Sequence, residues 1–214
     1  MVANIPGGDI LSGILNVIAQ SLLLPVMIIL VIFIIFSVIE IGALLAEYTG
    51  RKKIEGQEKE IIIKNIVSCE NQEQICQVIN YTKLNKYDKD VLCSIAKLDH
   101  ELYDKNTREI LARTLIENSE NKMFKSLEKV DIVAKIGSGC GLLGTIIPMG
   151  PGLAALGNGD MQTLTSSLTV AFNTTTAGLA SSSICFVVSK IRKRWYNEDL
   201  TTVYDIAETI LEVE

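Results

Sequence analysis

A chain of 214 residues that is 48% apolar and 21% charged holds too much of both for an ordinary soluble domain, unless the two are kept apart along it. They are kept apart: nearly all the charge falls between Glu47 and Lys135 or after Val188. The net charge of -5, with no Lys/Arg block interleaved with aromatics, excludes a strongly basic nucleic-acid binder.

Residues 1–21 contain Pro6-Gly7-Gly8 and a mildly amphipathic run, Ile10, Leu11, Ile14, Val17 and Ile18. Without a basic n-region they do not read as a cleavable signal peptide; a short helix in the outer interface is expected. Residues 22–46 are almost continuously apolar and form a first transmembrane helix, with Pro25 in its first turns and the basic cluster Arg51-Lys52-Lys53 closing it. Ser37 and Glu40 interrupt the run. Glu40 has two readings: an acid reaching the cytoplasmic interface or a lysine there, and a candidate titrating group inside the membrane.

Residues 47–131 are polar and lack proline, and lack glycine after Gly56. Apolar positions recur at helical spacing in Ile62, Ile63, Ile66 and Val67, and again in Val91, Leu92, Ile95, Leu98 and Leu102. This predicts a helical cytoplasmic domain whose last helix runs from Thr107 into the membrane as far as Leu156. It carries no phosphate loop, nucleophile elbow or metal-ligand cluster, so neither enzyme activity nor a cofactor is expected. The single histidine, His100, does not make a metal site, and the five cysteines show no CxxC spacing and read as reduced.

The second and third transmembrane helices are expected at 132–156 and 161–189, joined by Gly157-Asn158-Gly159-Asp160. No charge lies between Lys135 and that turn, and none between it and Lys190. Both helices are rich in small and hydroxyl residues, the composition of membrane helices that pack on each other. On a helical wheel Ser138, Gly141, Thr145 and Gly152 share a side of the first, with Pro148 beside them. In the second, Thr165, Thr169, Thr176 and Ser183 form one stripe near Asn173. Thr175 and Ser182 point about a third of a turn away, next to Ala171 and Gly178. Two readings of these hydroxyls stand: contacts between helices, or the lining of a polar conduit. A conduit for protons normally needs an acid, and these two helices hold none, so the acid would come from a partner. Residues 190–214 begin with Lys190, Arg192, Lys193, Arg194 and Trp195 and continue as an acidic amphipathic C-terminal helix. The basic clusters after the first and third spans place the polar domain and the C-terminus in the cytoplasm and the N-terminus outside.

At these residues the sequence resembles a known family. Gly141-Leu142-Leu143-Gly144-Thr145, followed by Thr175, Gly178 and Leu179 in a Thr-x-x-Gly-Leu pattern, is similar to the MotA/TolQ/ExbB proton-channel family. Three spans, a large polar region after the first and a tight turn between the last two complete the likeness. The resemblance implies an all-α integral membrane protein that assembles as a homo-oligomer, typically a pentamer, around a single-span ExbD/TolR/MotB-like partner with a membrane aspartate. It implies that Thr145 and Thr175 line the ion path, for protons or sodium, and that Gly141, Gly144 and Gly178 pack the helices closely. The pattern departs at Ser138, where the family usually has proline, at Pro148, where it usually has glycine, and at Ser182-Ser183-Ile184-Cys185, which replaces Ala-Ile-Pro-Ala. The expected function is an ion-conducting subunit of a stator-like motor. The alternative is a non-conducting oligomeric scaffold in the bilayer that anchors a helical platform.

Overall fold

The computed structural model describes residues 8–51, 56–69, 71–98 and 103–213. His100, Leu102, Lys52, Lys53 and residues 1–7 of the N-terminal segment lie outside them. All regular structure among the described residues is α-helical: α1 (Gly8–Gly50), α2 (Gly56–Val67), α3 (Gln72–Tyr81), α4 (Lys86–Ala96), α5 (Lys105–Gly157) and α6 (Met161–Val213). Three of these, α1, α5 and α6, are long and apolar enough to cross a membrane. The chain divides into two compact units. One holds residues up to Leu45 together with Lys129–Ser189; the other holds Ala46–Glu128 together with Lys190–Glu214.

Two helix boundaries differ from the sequence reading. The expected interfacial helix at 1–21 is not separate from the first span, because α1 runs unbroken through residues 21 and 22. Nothing between Gly8 and Gly50 stops it except Pro25, which therefore lies well inside the helix and removes the bond that Ser21 would otherwise accept. Likewise α6 passes Ser189 without a break, so the third span and residues 190–213 of the expected C-terminal helix (190–214) form one helix. Lysine and arginine are good helix formers, and a basic cluster marks a change of surroundings without ending a helix.

In the first unit the helices meet along seams of period seven. On α6 the buried positions are Ala171, Thr174, Gly178, Ser181, Cys185 and Val188, spaced alternately three and four apart. That spacing is the seam of helices packed nearly in line. On α1 the covered face runs through Val26, Leu30, Phe33 and Ser37. Val26, Leu30 and Phe33 pack with Cys140, and Phe33, Phe36 and Leu44 pack on Val130, Val133, Cys185 and Val188. Most of the remaining side chains of α1 are exposed, chiefly isoleucine, leucine and valine, as suits a helix facing lipid.

The turn from α5 to α6 is defined atom by atom. The Asp160 amide donates to Ala155 O at 3.0 Å and the Gly159 amide to Leu156 O at 3.0 Å, with Gly159 at φ +74°. This is a Schellman motif with glycine at its left-handed position. Asp160 then caps α6: its Oδ1 accepts from the Thr163 amide at 3.0 Å and its Oδ2 from the Thr163 hydroxyl at 2.5 Å.

The second unit is built differently. Ile62 and Ile66 of α2, Ile75 and Ile79 of α3, and Leu92 and Ile95 of α4 form a continuous core with Ala112 and Ile116 of α5 and Val203, Ile206 and Ile210 of α6. Six of these side chains (Ile66, Ile79, Leu92, Ile95, Ile206, Ile210) have no solvent exposure at all. The breaks between its short helices fall at Asn71 and Asn85, each an N-cap with extended backbone.

Candidate ion path

The site grows from the glycines of α5. A Cβ at Gly178 would stand 2.6 Å from the Gly137 carbonyl oxygen and 2.6 Å from Gly141 Cα. A Cβ at Gly141 would stand 3.1 Å from Gly178 Cα. At this crossing, backbone touches backbone, which only residues without a side chain allow. One turn further, a Cβ at Gly144 would meet Thr174 Cβ at 2.6 Å, and at the outer end a Cβ at Gly152 would meet Ser167 Cβ at 3.0 Å.

Because the backbones are this close, short hydroxyl side chains reach across. The Thr145 and Thr175 hydroxyls are hydrogen-bonded to each other. Thr145 Oγ1 also lies 3.0 Å from Gly141 O and 3.4 Å from Ala171 O, and Thr175 Oγ1 lies 3.5 Å from Gly141 O. Two hydroxyls and two backbone carbonyls thus form a half-buried polar node between α5 and α6. A hydroxyl donates one proton and accepts on two lone pairs, so the node can pass a proton along a hydrogen-bonded line or present oxygens to a hard cation. It cannot store charge, since neither hydroxyl titrates near neutral pH. Below it Ser182 Oγ donates to Ala134 O at 2.6 Å, and the Ser189 hydroxyl is bonded to the Asp131 carboxylate.

Residues outside the sequence reading complete the seam. Thr174 is only 7% exposed and its hydroxyl bonds Val170 O and Ala171 O, both at 2.9 Å. Ser181 is fully buried and donates to Ala177 O at 2.9 Å. Gly137 and Gly141 form a G-x-x-x-G pair, a spacing visible in the sequence. The stripe of Thr165, Thr169 and Thr176 is exposed, each hydroxyl bonding the carbonyl four residues back.

Glu40 stands apart from the node. It is half-buried, near the buried Ser37 on the covered side of α1, and lies near Cys185. Cys185 follows Thr175 by ten positions, roughly 15 Å along α6. The structure therefore brings Thr145 to Thr175 and does not bring Glu40 to either.

A model of the MotA/TolQ/ExbB proton channel family matches residues 73–204. The chain belongs to that family. A search of curated proteins returned no match. Membership makes this a membrane protein of ion-channel, energy-transducing type. The matched stretch contains the node, its glycines and most of the second unit's core, and it leaves out α1 with Glu40.

A second polar cluster lies in the other unit, around a cleft of about 580 Å³ lined by Glu47, Arg51, Lys83, Lys86, Asp88, Glu198 and Asp199, among others. Arg51 Nη2 meets Asp199 Oδ1 at 2.6 Å and donates to Trp195 O at 2.9 Å, and its guanidinium lies 5.0 Å from the Trp195 ring centre. Arg192 pairs with Glu47 at 2.9 Å. Asp88 is 2% exposed and its Oδ2 has no hydrogen-bond partner among the described residues. Burial, with the nearby Asp199 charge adding to it and Arg51 opposing it, raises the Asp88 pKa to about 6.

Proposed function

We propose that this chain is the ion-conducting subunit of a stator-like motor, working as a homo-oligomer around a single-span partner that carries a membrane carboxylate. The observation that carries the reading is the Thr145–Thr175 node, set in two helices with no charged side chain between Lys135 and Asp160 or between Asp160 and Lys190. A polar path of hydroxyls without an acid moves protons only if a neighbour supplies the titrating group. In the proposed cycle, a proton or a sodium ion passes the Thr145 and Thr175 oxygens to the partner's carboxylate. Neutralising that carboxylate removes the large penalty for its charge in the bilayer, so it shifts against the surrounding subunits, and release to the cytoplasm resets it. Five subunits are proposed, with the N-terminus outside and the α2–α4 platform in the cytoplasm, the orientation favoured by the basic clusters. The exposed threonine stripe of α6, already satisfied by its own backbone, suits contact with a neighbouring subunit. Glu40 is assigned to the inner interface rather than to the path, because it lies near Cys185, about ten positions along α6 from Thr175.

The test is ion flux into proteoliposomes holding this protein with and without a co-encoded single-span protein. Flux should need both proteins. Thr175→Ala and Thr145→Ala should each cut it at least tenfold while the oligomer persists on gel filtration. Full flux in both variants would end the assignment of these residues. No flux in any combination, with a stable oligomer, would leave the hairpin as a scaffold. Loss of flux in Glu40→Gln with assembly intact would mean the subunit brings its own acid.

A further inference from the structure

The α3–α4 hairpin holds two cysteines against each other. Cys76 is in the middle of α3 and Cys93 in the last part of α4, with the Thr82–Asn85 connection between the helices. The Cys76 Sγ lies 3.7 Å from the Cys93 carbonyl oxygen, and the Cys93 Sγ lies 3.8 Å from the Cys76 carbonyl oxygen. Each side chain therefore crosses the same gap in the opposite direction, which sets the thiols side by side. Burial, together with the contact with Cys76, pushes the Cys93 thiol up to about 11. Both residues are half-buried rather than sealed, so a small oxidant reaches them, whereas Cys140 and Cys185 are buried in the membrane unit. Cys69 packs on the same core, but its sulfur is turned to its own helix, 3.1 Å from Asn65 O.

We propose that Cys76 and Cys93 are a dithiol modification site, closed to an intramolecular disulfide by a peroxide. The chemistry balances in two steps. One of the two sulfurs attacks the peroxide, the O–O bond breaks, and a sulfenic acid and one water (or alcohol) result. The other sulfur then attacks the sulfenic sulfur, the S–O bond breaks, and a disulfide and a second water form. Both thiol protons leave in water, and the peroxide takes the two electrons. Reaction requires thiolate, and the two sulfurs stand side by side, so whichever is oxidised first has the other at hand to resolve it. In a reducing compartment the pair rests as thiols. Once closed, it ties α3 to α4 across the platform core and shortens the free chain of the unfolded state.

The test uses the full-length protein in detergent, treated with hydrogen peroxide, quenched, denatured and alkylated. Before oxidation all five cysteines should take the label; afterwards three should, with the mass lower by two hydrogen atoms and a Cys76–Cys93 cross-linked peptide in the digest. Cys76→Ser and Cys93→Ser, close in shape to the thiol, should each abolish the cross-link. Oxidation should also raise the melting temperature of the wild type and not of either variant. Five labels after peroxide, or a cross-link that uses Cys69 instead, would overturn the proposal. If the serine variants fold poorly, the digest of the wild type alone still separates these outcomes.

Discussion

The two units of this molecule hold their helices together by opposite means. Around the Thr145–Thr175 node the seam works because side chains are missing: Gly137, Gly141, Gly144 and Gly178 let backbones touch. In lipid there is no hydrophobic gain from burying leucine, so close packing and hydrogen bonds must hold the helices. In the platform the seam works because side chains are large, with isoleucines and Leu92 entirely removed from water. One chain thus uses two rules, and the rule changes with the solvent.

If that contrast is right, equal and opposite substitutions should have unequal effects. The largest loss should come from Ile79→Ala, which opens a cavity in the platform core and should destabilise it by about 3–4 kcal/mol, seen as a lower denaturant midpoint. Next is Gly178→Ala, which puts a methyl 2.6 Å from backbone atoms of α5 and should weaken the hairpin by about 3 kcal/mol. It should also reduce flux by separating Thr145 from Thr175. Alanine is too small in one unit and too large in the other. An unchanged melting curve for Gly178→Ala would break the comparison.

The fold was readable in the sequence because each rule leaves its own mark. Continuous apolar runs marked the three spans, the glycines of Gly157-Asn158-Gly159-Asp160 marked the turn, and helical spacing marked the polar region as helical without locating the breaks at Asn71 and Asn85. The glycines and threonines of the node were reached through their resemblance to a family pattern. The wheel alone pointed elsewhere, toward Thr165, Thr169 and Thr176, since it gives the faces of a helix and not the neighbour that covers each. Thr174 was missed for the same reason: its hydroxyl turns inward against Gly144 and looks no different in sequence from Thr176. Cys76 and Cys93 are seventeen positions apart and meet only when the α3–α4 hairpin has formed.

The units should also differ in their response to pH. The α5–α6 seam around the node has no Asp, Glu, His, Lys or Arg, so its protection against amide exchange should be flat between pH 4 and pH 7 after correction for intrinsic rates. The platform contains Asp88, whose folded pKa of about 6 lies above its ordinary 3.8. A carboxyl raised in this way contributes stability below its unfolded pKa and loses it as pH rises through the folded value. Protection of α4 should therefore fall between pH 4 and pH 7, by about 2 kcal/mol. Asp199 is shifted upward by burial as well, so Asp88→Asn should flatten this slope without removing it. An identical slope in the variant would exclude Asp88 as its source.

The smallest effect belongs to the turn. Gly159→Ala forces an L side chain into the left-handed region and should destabilise the hairpin by about 1 kcal/mol, detectable as a modest drop in melting temperature with flux retained.

That turn also limits how the gene can change. Asp160 closes the motif that ends α5 and caps the helix that begins α6, leaving no spare residue between them. Each added codon would rotate α6 by about 100° relative to α5 and carry Thr175 away from Thr145. The connection should therefore tolerate substitutions while refusing insertions and deletions. Length variants ought to survive in the connections between α2, α3 and α4, but a library of in-frame insertions should show a gap that runs from Thr145 through this turn to Thr175, where an ordinary surface loop would have shown tolerance.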